Sequence, residues 1–214
     1  MDNFQRTVAL IKQQPTTVWG LKYFPNLEPE IHNDQDSPIW LTNAQVEVSA
    51  CNLSVVREVV GAMGANLKTM MEIGIARPGN GEGSMSNILM REKPIDSFYL
   101  GVDIDDRSYL DDASKNIWTV RANSHSQNTI RGFLADKQIS QLDLLFIDGW
   151  HSVNTCVNDW LFTDMLAPKG VVLLHDTNAH PGCVALFDAV DENLFEKQRF
   201  CTDYDNGIAV FRRK

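Results

Sequence analysis

No apolar run in the sequence approaches the roughly 20 residues that cross a bilayer as a helix, so a helical membrane span is not expected. Basic charge is scarce. Nineteen Lys and Arg stand against 28 Asp and Glu, a formal net charge of −9. Such a surface argues against nucleic acid or an anionic membrane as the main partner, because both call for basic patches. Cysteine is scarce too. Cys51, Cys156, Cys183 and Cys201 are widely separated, with no CxxC pair and no dense framework. The expectation is four reduced thiols in a cytoplasmic protein. The stretch MDNFQRTVALIKQQPTT lacks the long apolar core and small-residue cleavage site of a secretory signal. There is no internal repeat and no low-complexity linker, so one compact domain is the expectation.

What is present is an ordinary globular composition, 43% hydrophobic and 22% charged over 214 residues. That length supports one domain of moderate size with a proper core. Residues 1–43 are irregular and rich in Pro, Asn and Asp, with Trp19, Tyr23, Phe24 and Trp40 interspersed. They read either as a substrate-side lid or as an N-terminal extension packed on the core. The functional domain is expected over residues 44–214.

From residue 44 the pattern is regular. NAQVEVSACNLSVVREVVGAMGA has apolar positions at helical spacing, and SMSNILMRE reads as a helix start. TMMEIG, SFYLGVDID, NIWTV, LDLLFID and VVLLHD are short apolar runs. SVNTCVNDWLFTDML places Val153, Val157, Trp160 and Leu161 on one helical face, and APKG is expected to stop that helix. Short apolar strands alternating with helices indicate a parallel sheet buried on both faces. RFCTDYDNGIAVFRR instead reads as two strands turning near Asp205-Asn206-Gly207, an antiparallel hairpin at the sheet edge. The fold class is therefore α/β, a Rossmann-like doubly wound sheet with an antiparallel C-terminal hairpin.

In an open parallel sheet a ligand lies outside the carboxyl ends of the strands. Glu72, Asp103, Asp148 and the pair His175-Asp176 all fall at such ends and should line one rim. Buried charge is costly unless it is paired or bound to metal, so a series of ionisable strand ends points to chemistry. EIGIARPGNGEGS is a glycine-rich strand-to-helix loop, a form that lets the backbone approach a ligand and aims helix N–H groups at it. Its Gly79-x-Gly81-x-Gly83 spacing departs from the GxGxxG pyrophosphate fingerprint. Asp103 ends the next strand, where an acid can accept hydrogen bonds from both ribose hydroxyls, with Asp105 and Asp106 near enough to compete. His151 reads either as a base or as a helix cap bonded to Asp148. His180, in NAHPG, reads as a loop residue, with a place lining the site as the lesser alternative. Asp159 and Asp164 read as solvated, and Trp150 as too exposed by pattern for the core.

EIG with its glycine loop, GVDID, DLLFIDGWHSVNTCVNDW, APKGVVLLHDT and the closing hairpin together resemble class I S-adenosylmethionine-dependent methyltransferases over roughly residues 50–214. IDGxH, a helix and then HDT look like the small-molecule O-methyltransferase group that includes the macrolide-sugar enzymes of macrocin and mycinamicin type. The resemblance implies a seven-stranded mixed sheet with its last strand inserted antiparallel. It implies S-adenosylmethionine as cofactor, bound by Glu72, Gly74, some of Gly79, Gly81 and Gly83, and Ser84. It implies that Asp103 holds the ribose and that Asn123 and Ser124 flank the adenine. It also implies a divalent cation on Asp148, His175 and Asp176, with His151 as base beside Asp148. Two features depart from the group's pattern: the glycine loop is longer, and His175 stands where the sugar-methylating members carry an acid. An imidazole weakens the case for Mg²⁺ and admits Mn²⁺, or no metal.

The chemistry gives these residues a purpose. A hydroxyl is a poor nucleophile toward a methylsulfonium while it keeps its proton, and a cation lowers its pKa while a His takes the proton. The expected partner is a small-molecule acceptor, with neither nucleic acid nor membrane involved; a homo-oligomer is compatible with the sequence. Two other classes compete. A metallohydrolase using Asp148, His151, His175 and Asp176 leaves the glycine loop and Asp103 unexplained. A catalytically silent nucleotide-binding module has no need of His151.

Overall fold

The computed structural model describes residues 20–22, 50–75, 84–178, 180–201 and 206–214. The strands β1 (Thr69–Ile73), β2 (Phe98–Asp103), β3 (Ile117–Arg121), β4 (Leu142–Ile147), β5 (Leu166–His175), β6 (Phe195–Phe200) and β7 (Ile208–Arg213) form one seven-stranded sheet in the order β3-β2-β1-β4-β5-β7-β6. The first five are parallel, and β7 inserts antiparallel between β5 and β6. The hairpin expected at the sheet edge is thus present, its second strand lying inside its first. The described helices are α1 (Ala50–Met63), α2 (Met85–Glu92), α3 (Gln127–Asp136), α4 (Val153–Trp160) and α5 (Pro181–Ala189). None is long and apolar enough to cross a membrane.

Successive side chains of a strand point to opposite faces, so a strand buried on both sides reads as an unbroken apolar run. The strands divide their residues in this way. Met70, Leu144, Phe146 and Leu173 meet Val56 and Val60 of α1 and Ile88 and Leu89 of α2. Met71, Ile73, Leu145, Ile147, Val172 and Leu174 face the other side, with Ile130 and Leu134 of α3, Cys156 and Trp160 of α4, and Leu186 of α5. The Trp160 ring packs edge-on against Phe195 and Phe211, centroids 5.3 and 5.0 Å away. These side chains anchor α4 to β6 and β7.

Three expectations need correction. Cys51 and Cys201 are joined in a disulfide across 150 residues of sequence, so only Cys156 and Cys183 are free thiols, both buried. α1 brings Cys51 to the end of β6, a juxtaposition that widely spaced cysteines do not reveal. APKG does not end the helix. α4 stops at Trp160, a 3-10 segment continues over Leu161–Met165, and APKG lies within β5. There Lys169 at φ 64 makes the irregularity that shifts the register against β4. Asp159 is fully buried rather than solvated. The helix expected from residue 44 is described only from Ala50, and residues 44–49 lie outside the described residues. Most of the 1–43 segment does too; Leu21 is buried and bridges Val190.

Candidate active site

The site forms where the ends of the neighbouring strands β1 and β4 meet with almost no room to spare. Gly74 follows β1 at φ 84, and a Cβ there would meet Asp148 O at 2.1 Å. Both the left-handed backbone and the close approach call for glycine. Asp148 N donates to Ile73 O at 2.8 Å, carrying the β1–β4 pairing one residue beyond the strand. The carboxyl ends of β1, β4 and β5 therefore open onto one rim, as expected.

The β4 and β5 ends converge. His175 Nδ1 lies 3.0 Å from Asp148 Oδ1 and 3.3 Å from Asp176 Oδ2. His151 Nε2 lies 2.6 Å from Asp176 Oδ2 and 4.0 Å from Asp148 Oδ1. Asp176 leaves the strand at φ 60, a left-handed backbone that a non-glycine residue adopts at a cost, often at functional sites. A second close approach shapes the His151 turn. A Cβ on Gly182, in the first turn of α5, would meet His151 O at 2.2 Å, so α5 presses directly on that backbone. His180, just before α5, stacks its ring on His151 at 4.1 Å. The loop residue of the sequence reading thus belongs to the site. Trp150 is half exposed, in line with its pattern.

The electrostatics follow from this packing. Burial disfavours the His175 cation, but the charges of Asp148 and Asp176 and their hydrogen bonds outweigh it and hold the imidazole well above its usual range. Burial likewise opposes the His151 cation, while the hydrogen bond and charge of Asp176, with Asp148 behind it, raise His151 overall. Burial pushes Asp176 up, yet His175 and His151 hold it well below the usual carboxylate range.

Do these residues fit a cation? Asp148, His175 and Asp176 each offer a ligand atom, all within 4.8 Å of one another. Asp176 Oδ1 is buried with no hydrogen-bond partner among the described residues. A converging donor set with an orphaned carboxylate oxygen fits a divalent ion, and its one imidazole suits Mn²⁺ better than Mg²⁺.

The β1–β2 side is built differently. Asp103 ends β2, and its carboxylate accepts from Ile75 N at 3.0 Å and from Asp105 N at 2.8 Å, with Arg107 Nε at 3.3 Å. It thereby ties the start of the glycine loop to the second strand. Asp105 is exposed. Glu72, in β1, is fully buried. It accepts from Ser86 Oγ at 2.6 Å and from the Tyr99 hydroxyl. Burial pushes it up to about 8. Ser84 caps α2, accepting from Asn87 N at 3.2 Å. Gly79, Gly81 and Gly83 lie outside the described residues. Ala122 N donates to Asp103 O at 2.8 Å, which sets the next residues, Asn123 and Ser124, beside the β2 end. Burial pushes Asp159 up to about 7, and both of its carboxylate oxygens are buried with no hydrogen-bond partner among the described residues. A Cβ on Gly149 would meet Asp159 Oδ2 at 3.4 Å, so this acid underlies the Asp148–His151 turn.

Sequence reasoning missed one residue altogether. Asn52, fully buried in the first turn of α1, lies with Nδ2 2.8 Å from His175 Nε2. An Asn near a helix start reads as a cap, and nothing in its neighbours signals a histidine 123 positions away.

Comparison with known proteins fits this geometry. A family model described as a methyltransferase domain matches residues 72–177. No curated protein matches the chain in sequence. Among solved structures, the MycE methyltransferase of the mycinamycin biosynthetic pathway, in complex with Mg, SAH and mycinamycin VI, aligns with a TM-score of 0.57 at 14% identity, over 75% of this chain and 48% of its own. The O-methyltransferase from Bacillus cereus in complex with SAH aligns with a TM-score of 0.57 at 13% identity, over 82% of this chain and 86% of its own. The O-methyltransferase TomG from Streptomyces achromogenes, involved in tomaymycin synthesis and solved with SAM, gives 0.52 at 16%, over 78% and 81%. These likenesses establish the fold. The chain spans about half the length of MycE.

Proposed function

We propose that the chain, which matches a methyltransferase-domain family model over residues 72–177 and shares the fold of S-adenosylmethionine-dependent O-methyltransferases, moves the methyl group of S-adenosylmethionine to a hydroxyl of a small molecule with the help of a divalent cation. The observation that carries this reading is the convergence of Asp148, His175, Asp176 and His151 Nε2 at the rim that Gly74 opens. The solved neighbours are O-methyltransferases or bind SAH or SAM, and MycE is solved with Mg and a macrolide, which supports the cofactor and the acceptor class.

Gly74, Ser84, Asp103, Asn123 and Ser124, with the segment carrying Gly79, Gly81 and Gly83, form the cofactor side of this reading. Asp103 keeps acceptor capacity for the ribose, and Glu72 supports the site through Ser86. Asp148, His175 and Asp176 would hold the cation, which when bound makes a nearby hydroxyl easier to deprotonate. The His151 imidazole takes the hydroxyl proton, and Asp176, 2.6 Å from its Nε2, stabilises the cation that forms. The acceptor oxygen forms its bond to the methyl carbon as the carbon–sulfur bond breaks, and that electron pair stays on sulfur. The protein's main task is to hold oxygen, carbon and sulfur in line. Residues 1–43 belong to the acceptor side in this reading, and residues 44–214 form the catalytic domain. The Cys51–Cys201 disulfide removes the ground, reduced thiols, on which a cytoplasmic location was expected.

The test is transfer of radiolabelled methyl from S-adenosylmethionine into a panel of sugars, phenols and glycosylated macrolides. Chelation should abolish transfer while leaving cofactor binding nearly intact, and Mn²⁺ should restore it better than Mg²⁺. Full transfer after exhaustive chelation removes the cation from the mechanism.

A further inference from the structure

We infer that Asn52 is a positioning residue for His175, held against the ring by the Cys51–Cys201 disulfide. The inference rests on the cation reading above. His175 makes two kinds of contact. Nδ1 faces Asp148 and Asp176, and Nε2 faces the Asn52 side chain. A ligating histidine needs its second nitrogen fixed, because that contact sets the plane of the ring and the direction of the ligating lone pair. A carboxamide suits this position. Its nitrogen donates to a bare Nε2, and turned over, its oxygen accepts from Nε2–H.

The bond next to Asn52 explains how the amide is kept there. Cys51 ties the first turn of α1 to Cys201, with Cα atoms 5.8 Å apart. Cys201 is itself fastened to the exit of β5: Asn178, three residues after His175, donates through Nδ2 to Cys201 O at 2.8 Å. Asn178 N donates to Asn206 O at 2.7 Å, and Ile208 pairs with His175. Gly207, at φ 80, leaves the room that Asn178 fills, since a Cβ there would meet its side chain at 2.5 Å. The disulfide thus closes a short loop of contacts running from Asn52 through Cys51, Cys201 and Asn178 back to His175. Opening it releases the first turn of α1 from the strand that carries the histidine.

The experiment measures Mn²⁺ affinity by electron paramagnetic resonance and S-adenosylhomocysteine affinity by calorimetry. It uses wild type, Asn52→Leu, His175→Ala, the double variant and Asp148→Asn, each oxidised and reduced. Loss of a contact behind a metal ligand typically weakens metal binding about 10- to 100-fold. Asn52→Leu and reduction of wild type should each weaken Mn²⁺ in that range and leave S-adenosylhomocysteine affinity within about threefold. Neither should weaken it further in the His175→Ala background, because the effect acts through that ring. Reduction of the unmutated protein keeps the test open if Asn52→Leu fails to fold. If Asp148→Asn abolishes Mn²⁺ binding while Asn52→Leu and reduction leave it unchanged, the cation reading stands and the positioning role falls. Equal losses with and without His175 overturn the role as well. If the wild-type protein binds no Mn²⁺, both fall.

Discussion

Replacing Glu72 by Gln should change how stability depends on pH far more than it changes the fold. The carboxyl is fully buried, and burial raises its pKa from 4.5 to about 8. Ser86 and Tyr99 donate to it and hold it down, but not enough to offset the burial. Below pH 4.5 the acid is neutral in both folded and unfolded chains and has no pH-linked effect. Between 4.5 and about 8 the unfolded chain has released the proton while the folded protein retains it. The folded state then binds more protons, so stability falls as pH rises, and the fall ends above about 8. At 1.36 kcal/mol for each unit, the group costs about 3 kcal/mol at pH 7 and about 5 kcal/mol well above pH 8. Gln has nearly the same shape. Its oxygen accepts from Ser86, and its amide donates to the Tyr99 oxygen, so packing is kept. Asp159, raised by burial to about 7, adds a similar slope over a lower window, but it does so equally in both proteins. Guanidinium unfolding followed by tryptophan fluorescence at pH 5, 6.5 and 8 should show the variant gaining about 3 kcal/mol on wild type from the lowest pH to the highest. Parallel stability curves would refute the reasoning, and Glu72 would then be ionised in the folded protein.

His151→Ala should lower methyl transfer about a hundredfold or more, the range for losing a placed acid–base group. His151→Gln should do nearly as much harm, and in both variants S-adenosylhomocysteine affinity and melting temperature should hold. A Gln variant with full turnover sends the search for the base to His175 or His180. Reducing Cys51–Cys201 removes a crosslink over 150 residues, which by loop entropy costs up to about 5 kcal/mol. Denaturation with and without reductant measures this loss, and coincident curves would show that the bond does not constrain the unfolded chain.

Much of the fold was legible because parallel strands between two helix layers must be apolar on both faces. That burial writes runs such as LDLLFI and VVLLH, whose acidic or histidine ends stand out. The rim followed from the same rule, since Asp103, Asp148, His175 and Asp176 close or follow such runs, whereas Glu72, one residue short of the end of β1, is buried against Ser86 and Tyr99. What stayed hidden depends on packing between distant segments. Asp159 lies in a helix whose polar residues look solvated, and only the tight turn at Gly149 above it shows that it is buried. Cys51 and Cys201 meet because α1 crosses the end of β6, and Asn52 reaches His175 for the same reason. His180 was legible chiefly as a loop residue, because its approach to His151 depends on the bare Cα of Gly182.

The account stands or falls on cofactor binding at the β1–β2 end of the sheet. Calorimetric titration of S-adenosylhomocysteine into the wild-type protein should give a micromolar dissociation constant with a rise in melting temperature. Asp103→Ala should weaken binding markedly, because it removes the charged acceptor at the end of β2. No heat and no thermal shift at millimolar ligand would contradict the central claim.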